Sequence, residues 1–554
     1  MSNPERLRIS GGAVYDPANG IDGAVRDVCI EGDRIVAELP RDAPRLDAAG
    51  MIVMPGGVDI HSHVAGPSVN QARRLLPEER AVDPVPAPRL DDGTLARTGT
   101  GGTVPSTFAT GYRYAGLGYT TAMEAAVAPL GARHAHAELD DTPILDAGFF
   151  VLLGNDDYLL RQIAAGETAR ARDYAAWLLG VTRAYAIKIV NPGGVSLWKN
   201  SGEPGRRNVT GLDDAVGSSA VTPRKILETL CAAANQLALP HPVHVHCNNL
   251  GQPGNYATTL ESMKALGGQR AHFTHLQFHS YGGERGKPWR SAARNVIEYV
   301  NAHPETSVDV GQVMFGPATT VTADSPVEYL LATSGGGGGG GGGGRKWVNV
   351  DIELESGCGI VPYTYKEQAA VAALQWAVGL ELFLLSTDPW RVVLSTDHPN
   401  GGTFLSYPEL IRLLMDRSYR DERLKRVNQK LLAGSALLDG LSREYTLNEI
   451  AIVTRAGPAR LLGLRNKGHL GPGADADVTI YASDGDRSKV FATPRYVFKA
   501  GTLVVAEGQL RRAPAGRRLA VHPEYDTAVT KDLRRFFDAH ATVSFDNYGA
   551  EPVA

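Results

Sequence analysis

His61 and His63 stand one residue apart at the end of the run Met54-Pro55-Gly56-Gly57-Val58-Asp59-Ile60-His61-Ser62-His63. Residues two apart on a strand project to the same face. Two imidazoles presented side by side at a strand's C-terminal end offer a metal ion a pair of nitrogen ligands. The pair equally fits ordinary core or solvated histidines, so a metal site needs further ligands from elsewhere in the chain. Candidates exist: Lys188, His246, His275 and Asp397 each lie at or near the end of a β-type run. Imidazoles with a carboxylate suit Zn²⁺ and similar ions. Lys188 is the unusual member, because its segment, Ala186-Ile187-Lys188-Ile189-Val190, is otherwise apolar. A buried lysine is costly unless it is paired or chemically altered. Carboxylation by CO₂ would turn its amine into a carboxylate able to bridge two cations; the alternative is a strand-end lysine that snorkels to solvent.

Such residues need a scaffold that gathers strand ends. Over residues 55–440, apolar runs such as Pro242-Val243-His244-Val245-His246, His272-Phe273-Thr274-His275-Leu276 and Val392-Val393-Leu394-Ser395-Thr396-Asp397 alternate with helical stretches at 164–179 and 223–238. This alternation predicts an α/β fold with a parallel sheet, and its length fits a (β/α)8 barrel, whose chemistry sits at the C-terminal ends of the strands. The flanks read differently. Residues 1–54 carry short strands with a Gly11-Gly12 turn, and 441–520 carry a matching set, Ala476–Tyr481 and 496–505 around Ala500-Gly501. Both flanks are predicted to pair into one small β domain. The tail, 521–554, with Arg534-Arg535-Phe536-Phe537 and Phe545-Asp546-Asn547-Tyr548, has the aromatics to dock on its own domain or on a partner subunit. Two connections stand out: 83–103, read as a long loop over the barrel mouth, and the ten glycines 335–344, read as a flexible connection.

Composition narrows the classes. A chain of 554 residues with net charge -4 has no global basic field, which argues against a nucleic-acid partner. Four cysteines, Cys29, Cys231, Cys247 and Cys358, show no CxxC spacing, against a disulfide framework or a zinc-thiolate site. No apolar run reaches the length of a bilayer span, and the expected compartment is the reducing cytoplasm, with no membrane association.

The motifs carry a resemblance. Gly57-Val58-Asp59-Ile60-His61-Ser62-His63-Val64-Ala65-Gly66-Pro67, Ile187-Lys188-Ile189-Val190-Asn191-Pro192-Gly193-Gly194, His244-Val245-His246-Cys247-Asn248-Asn249-Leu250-Gly251, His272 to Gly282 and Ser395-Thr396-Asp397-His398-Pro399-Asn400-Gly401-Gly402 follow one another in order. With them the chain resembles the amidohydrolase superfamily, and within it the A subunits of formylmethanofuran dehydrogenases and of the bacterial formyltransferase/hydrolase complexes. The resemblance implies two Zn²⁺: His61, His63 and Asp397 hold one, carboxylated Lys188 bridges, and His246 and His275 hold the other. It implies that Asp397 is also the general base, and it leaves Asn249, His279 and His398 as substrate contacts. His246 is preferred to His244, and His275 to His272, because the family's ligands fall at strand ends.

The implied reaction is hydrolysis of the N-formyl amide of formylmethanofuran, or a methylofuran analogue, to formate and a free amine. The other subunits of one complex, a formyltransferase among them, are the implied partners. A glutamate-rich coenzyme tail would suit a cationic groove, for which Arg73, Arg74, Arg345 and Lys346 are candidates on composition. One rival is a cyclic amidase of the dihydropyrimidinase or dihydroorotase kind; Asn248-Asn249 and Gln277-Phe278-His279 favour the formyl branch. The other rival is a non-catalytic scaffold, against which the complete ligand set with Asp397 speaks.

Overall fold

Gly56 is the point where the chain leaves one sheet and enters another. The strand Ile52–Pro55 before it runs antiparallel to Val478–Tyr481, with Met54 opposite Thr479. The strand Gly57–Ser62 after it opens a parallel sheet. A Cβ at Gly56 would fall 2.3 Å from the Thr120 hydroxyl, so the crossing requires glycine. The computed structural model describes residues 5–77, 89–97, 107–194, 210–216, 221–284, 289–323, 349–350, 358–428, 432–483, 486–541 and 543–550. The glycine run 335–344, Arg345, Lys346, the segment 98–103, most of 83–92 and the side chain of Arg74 lie outside the described residues.

The parallel sheet has eight strands in sequence order: Gly57–Ser62, Tyr119–Val127, Asp146–Leu152, Ala186–Val190, Val243–His246, Ala271–Phe273, Thr306–Asp309 and Val392–Val393. Past the last strand, His398 forms a parallel bridge to Ser62, and the His63 N–H donates to the His398 carbonyl at 2.7 Å. The first and last strands thereby meet, and the sheet closes into the expected (β/α)8 barrel. Its strands are buried on both faces, which is why they read as apolar runs rather than alternating ones.

Both chain ends build the second sheet, nine-stranded, in which Arg6–Asp16 pairs with Ile21–Glu31, Arg45–Asp47 and Ile52–Pro55. The expected turn at Gly11-Gly12 is instead a bulge inside one long strand. The register shifts between Ile9 and Gly12, Gly11 takes a φ of +77°, and a Cβ at Gly12 would lie 2.5 Å from Val53. The helix read over 164–179 is the helix Thr168–Thr182, parted at Gly166 (φ +75°) from a preceding helix, Asp157–Ala164. Asp156 caps the preceding helix by accepting from the Leu159 N–H at 2.8 Å.

The nine-stranded sheet is pinned to the barrel by buried charge. Lys499 Nζ reaches Asp146 at 2.8 Å and Asp477 at 3.0 Å, and Lys467 Nζ reaches the same carboxylates at 2.6 and 2.8 Å. Asp146 opens the third barrel strand, so this cluster lies at the barrel's N-terminal end. The tail packs on the chain itself: Phe545 and Tyr548 stack on Trp177 of Thr168–Thr182 with centroids at 5.6 and 5.9 Å, and Phe537 is buried beside them. No described helix is long and apolar enough to cross a membrane.

Candidate metal centre

At the other end of the barrel the strand ends converge. The first strand carries His61 and leads to His63, the fourth carries Lys188, the fifth ends on His246, and Asp397 follows the eighth. His275 lies two residues past the sixth, with a φ of +36°, and Asp397 has a φ of +50°. Two site residues in left-handed backbone mark a place where geometry outweighs local conformational preference. Gly311 makes room for one of them, since a Cβ there would meet the His275 Cβ at 2.3 Å.

Three overlapping donor groups result among the described residues. In one, ligand atoms of His61, His275 and Asp397 all lie within 4.8 Å of one another; in the second, those of His246, His275 and His279 do, and in the third, those of His61, His244 and Asp309. His275 is common to the first two. Asp397 Oδ1 is 2.9 Å from His61 Nε2 and 3.2 Å from His63 Nε2. The rings of His246 and His275 are 4.5 Å apart, and His279 is 5.2 Å from each. All are buried. Donor atoms of this kind, gathered and withdrawn from water, fit a metal site of imidazole and carboxylate character.

Lys188 does not snorkel. It is 1% exposed, and its Nζ has no hydrogen-bond partner among the described residues. Burial lowers its pKa to about 8, against the pull of Asp309, Asp397 and Glu124. An uncharged amine is the form that reacts with CO₂, so the fit extends to a carboxylated lysine. Both ring nitrogens of His279 and Nδ1 of His275 also lack hydrogen bonds. Burial holds both imidazoles neutral, with lone pairs available. Burial opposes the Asp397 carboxylate too, but His61 and His63, when they carry protons on Nε2, outweigh it and keep Asp397 below the usual carboxylate range.

The remaining expected contacts sit in the walls. The Asn249 side chain accepts from Thr210 N–H at 2.7 Å and donates to Thr210 O and Thr258 Oγ1 at 3.0 and 3.1 Å, so it is committed to holding residue 210. The His398 ring accepts from the Phe404 N–H at 3.3 Å. Arg73 is no open cation: it is buried and donates to Glu138 at 3.1 Å.

Three carboxylates escaped the sequence reading. Glu124, on the second strand, accepts from His63 Nδ1 at 3.0 Å and from the Val64 and Ala65 N–H groups. Against the cost of burial, Glu124 and Asp397 raise the His63 pKa to about 9. Asp309, ending the seventh strand, accepts from the His275 N–H at 2.9 Å and pairs with His272 Nε2 at 3.1 Å. Asp59 accepts from the His61 N–H at 3.0 Å and the Tyr114 hydroxyl at 2.8 Å. Glu124 lies alone in an apolar run, the same signal that exposed Lys188.

The chain has known relatives. The Amidohydrolase family matches residues 46–505. Protein FwdA of Methanocaldococcus jannaschii is 42% identical, over 98% of this chain and 96% of its own. The A subunit of the formyltransferase/hydrolase complex Fhc of Methylorubrum extorquens is 39% identical, over 99% of this chain and 97% of its own. Among solved structures, a chain of the FhcABCD complex from Methylorubrum extorquens, determined with methylofuran, superposes with a TM-score of 0.89 at 38% identity. That match covers 98% of this chain and 96% of the other.

Proposed function

Because the chain belongs to the amidohydrolase family, and within it to the group of FwdA and its Fhc counterpart, we propose that this metal-dependent hydrolase cleaves an N-formyl amide. The substrate is formylmethanofuran or a methylofuran analogue, and the products are formate and the free primary amine. The chain acts as the A subunit of a cytoplasmic formyltransferase/hydrolase complex, beside a formyltransferase subunit. Similarity along nearly the whole chain to the Fhc relative, whose complex was solved with methylofuran, supports this substrate over a cyclic amide.

His61, His63 and Asp397 would hold one Zn²⁺, His246 and His275 a second, with Lys188, as N6-carboxylysine, between them. When bound, the ions polarise the formyl carbonyl and lower the pKa of water. The protein's own residues do the rest. Asp397, held deprotonated beside His61 and His63, takes the proton of the attacking water and delivers it to the amine nitrogen as the C–N bond breaks. Glu124 orients His63 through Nδ1. His279, whose ring nitrogens have no hydrogen bonds, is assigned to the substrate; Asn249 and His398 shape the walls around it.

The observation that carries the reading is the buried Lys188 amine, without a hydrogen-bond partner at the C-terminal end of the barrel. The test is Asp397→Asn. It should leave most of the zinc bound and reduce formate release by about 10²–10⁴-fold, the usual share of a general base. Retained turnover would remove Asp397 from that role.

A further inference from the structure

Three imidazoles, beginning with His61, are joined in sequence through the barrel. His61 Nδ1 lies 2.8 Å from His244 Nε2, His244 Nδ1 lies 3.0 Å from His241 Nε2, and His241 Nδ1 lies 2.8 Å from the Leu461 carbonyl oxygen. All three rings are buried. His244 points inward with His246 because both sit on one face of Val243–His246, one pleat apart. Leu461 belongs to the helix Gly457–Leu462, in the part of the chain beyond the last barrel strand.

The chain of rings has a direction, and its end fixes it. A carbonyl only accepts, so His241 carries its proton on Nδ1. A neutral imidazole protonated there presents a lone pair on Nε2, which must receive the Nδ1–H of His244. By the same step, His244 Nε2 receives the Nδ1–H of His61. The His61 lone pair is then on Nε2, the atom 2.9 Å from Asp397 Oδ1. Burial lowers the His241 pKa to about 3, consistent with a neutral ring at the start of this sequence. Two other groups reach His61 Nδ1. The Asp309 carboxylate, at 3.5 Å, can only accept, and the Thr274 hydroxyl, close against it, rotates to accept.

We propose that His241 and His244 are positioning residues that, anchored on the Leu461 carbonyl, hold His61 in the Nδ1–H tautomer with its Nε2 lone pair aimed at the metal. This rests on the assignment of His61 as a zinc ligand. Orienting partners of this kind commonly end on a carboxylate or carbonyl directly; here the carbonyl acts through two intervening rings.

The experiment compares His241→Phe and His241→Gln in the full chain by zinc competition against a chelator. Phenylalanine fills the ring's space against Phe150, 5.2 Å away, but accepts no hydrogen bond. Glutamine can donate to Leu461 O and accept from His244. The phenylalanine variant should bind zinc about 10–100-fold more weakly, and the glutamine variant should return close to wild type. Equal affinity in all three proteins, or equal loss in both variants, would overturn the relay. Should the phenylalanine variant fail to fold, ¹⁵N-histidine spectra of the wild type decide: Nδ1–H at His61, His244 and His241 supports the relay, and Nε2–H at any of them overturns it. A wild type that takes up no zinc but shows those three tautomers would overturn the ligand assignment and leave the relay standing.

Discussion

His63 and Glu124 face each other across the first two barrel strands, Nδ1 to Oε1 at 3.0 Å, and both are buried. The other Glu124 oxygen takes the N–H groups of Val64 and Ala65, so one carboxylate sets both the ring and the backbone that carries it. Glu124→Gln keeps the shape and one acceptor but loses the charge. Zinc affinity should fall about 10–100-fold with little change in unfolding temperature. Chelator competition with a parallel thermal melt checks this, and an unchanged affinity would make Glu124 a purely structural residue.

Lys188 should titrate with its own pH signature. With its pKa lowered to about 8, the amine is charged below that pH and free above it. At a fixed concentration of dissolved CO₂, carboxylation of the metal-free protein should therefore accelerate as pH rises towards 8 and level off beyond. Intact-mass measurement of one added CO₂ follows it. Lys188→Met, of similar length and apolar, should fold but lose the second zinc; two zincs in that variant would exclude the bridge.

The cluster of Lys467, Lys499, Asp146 and Asp477 makes a prediction about stability rather than chemistry. Burial opposes the Asp477 carboxylate, but Lys499 and Lys467 outweigh it and lower its pKa to about 2. A carboxylate depressed in the folded state contributes stability that is present above its unfolded pKa and lost as pH falls through the folded value. Acid should thus destabilise the contact between the sheet and the barrel progressively below roughly pH 4. Lys467 Nζ also reaches Asp475 at 3.1 Å, so Lys467→Met leaves Asp146, Asp475 and Asp477, all buried, short of a cation and should cost about 3–5 kcal/mol. Urea titration at neutral pH measures it.

Much of this is legible in the residues. His61 and His63 follow from strand spacing, Lys188 from a charge inside an apolar strand, and the barrel from alternating elements. Glu124 sits in an equally apolar strand, Ala122-Met123-Glu124-Ala125-Ala126, and carries the same signal. Its role is hidden because its partner, His63, is 61 residues away and only strand pairing brings them together. His244 and His272 fall short of the strand ends, yet the two-residue period of a strand turns them inward, into the layer below the candidate ligands. Gly11-Gly12 reads as a turn by composition; pairing on both sides overrides that and makes it a bulge.

The most direct test of the central claim is elemental analysis of the purified complex, paired with formate release from the N-formyl coenzyme. Two zinc ions per chain together with turnover are the predicted result. Fewer than one ion per chain and no formate would contradict it.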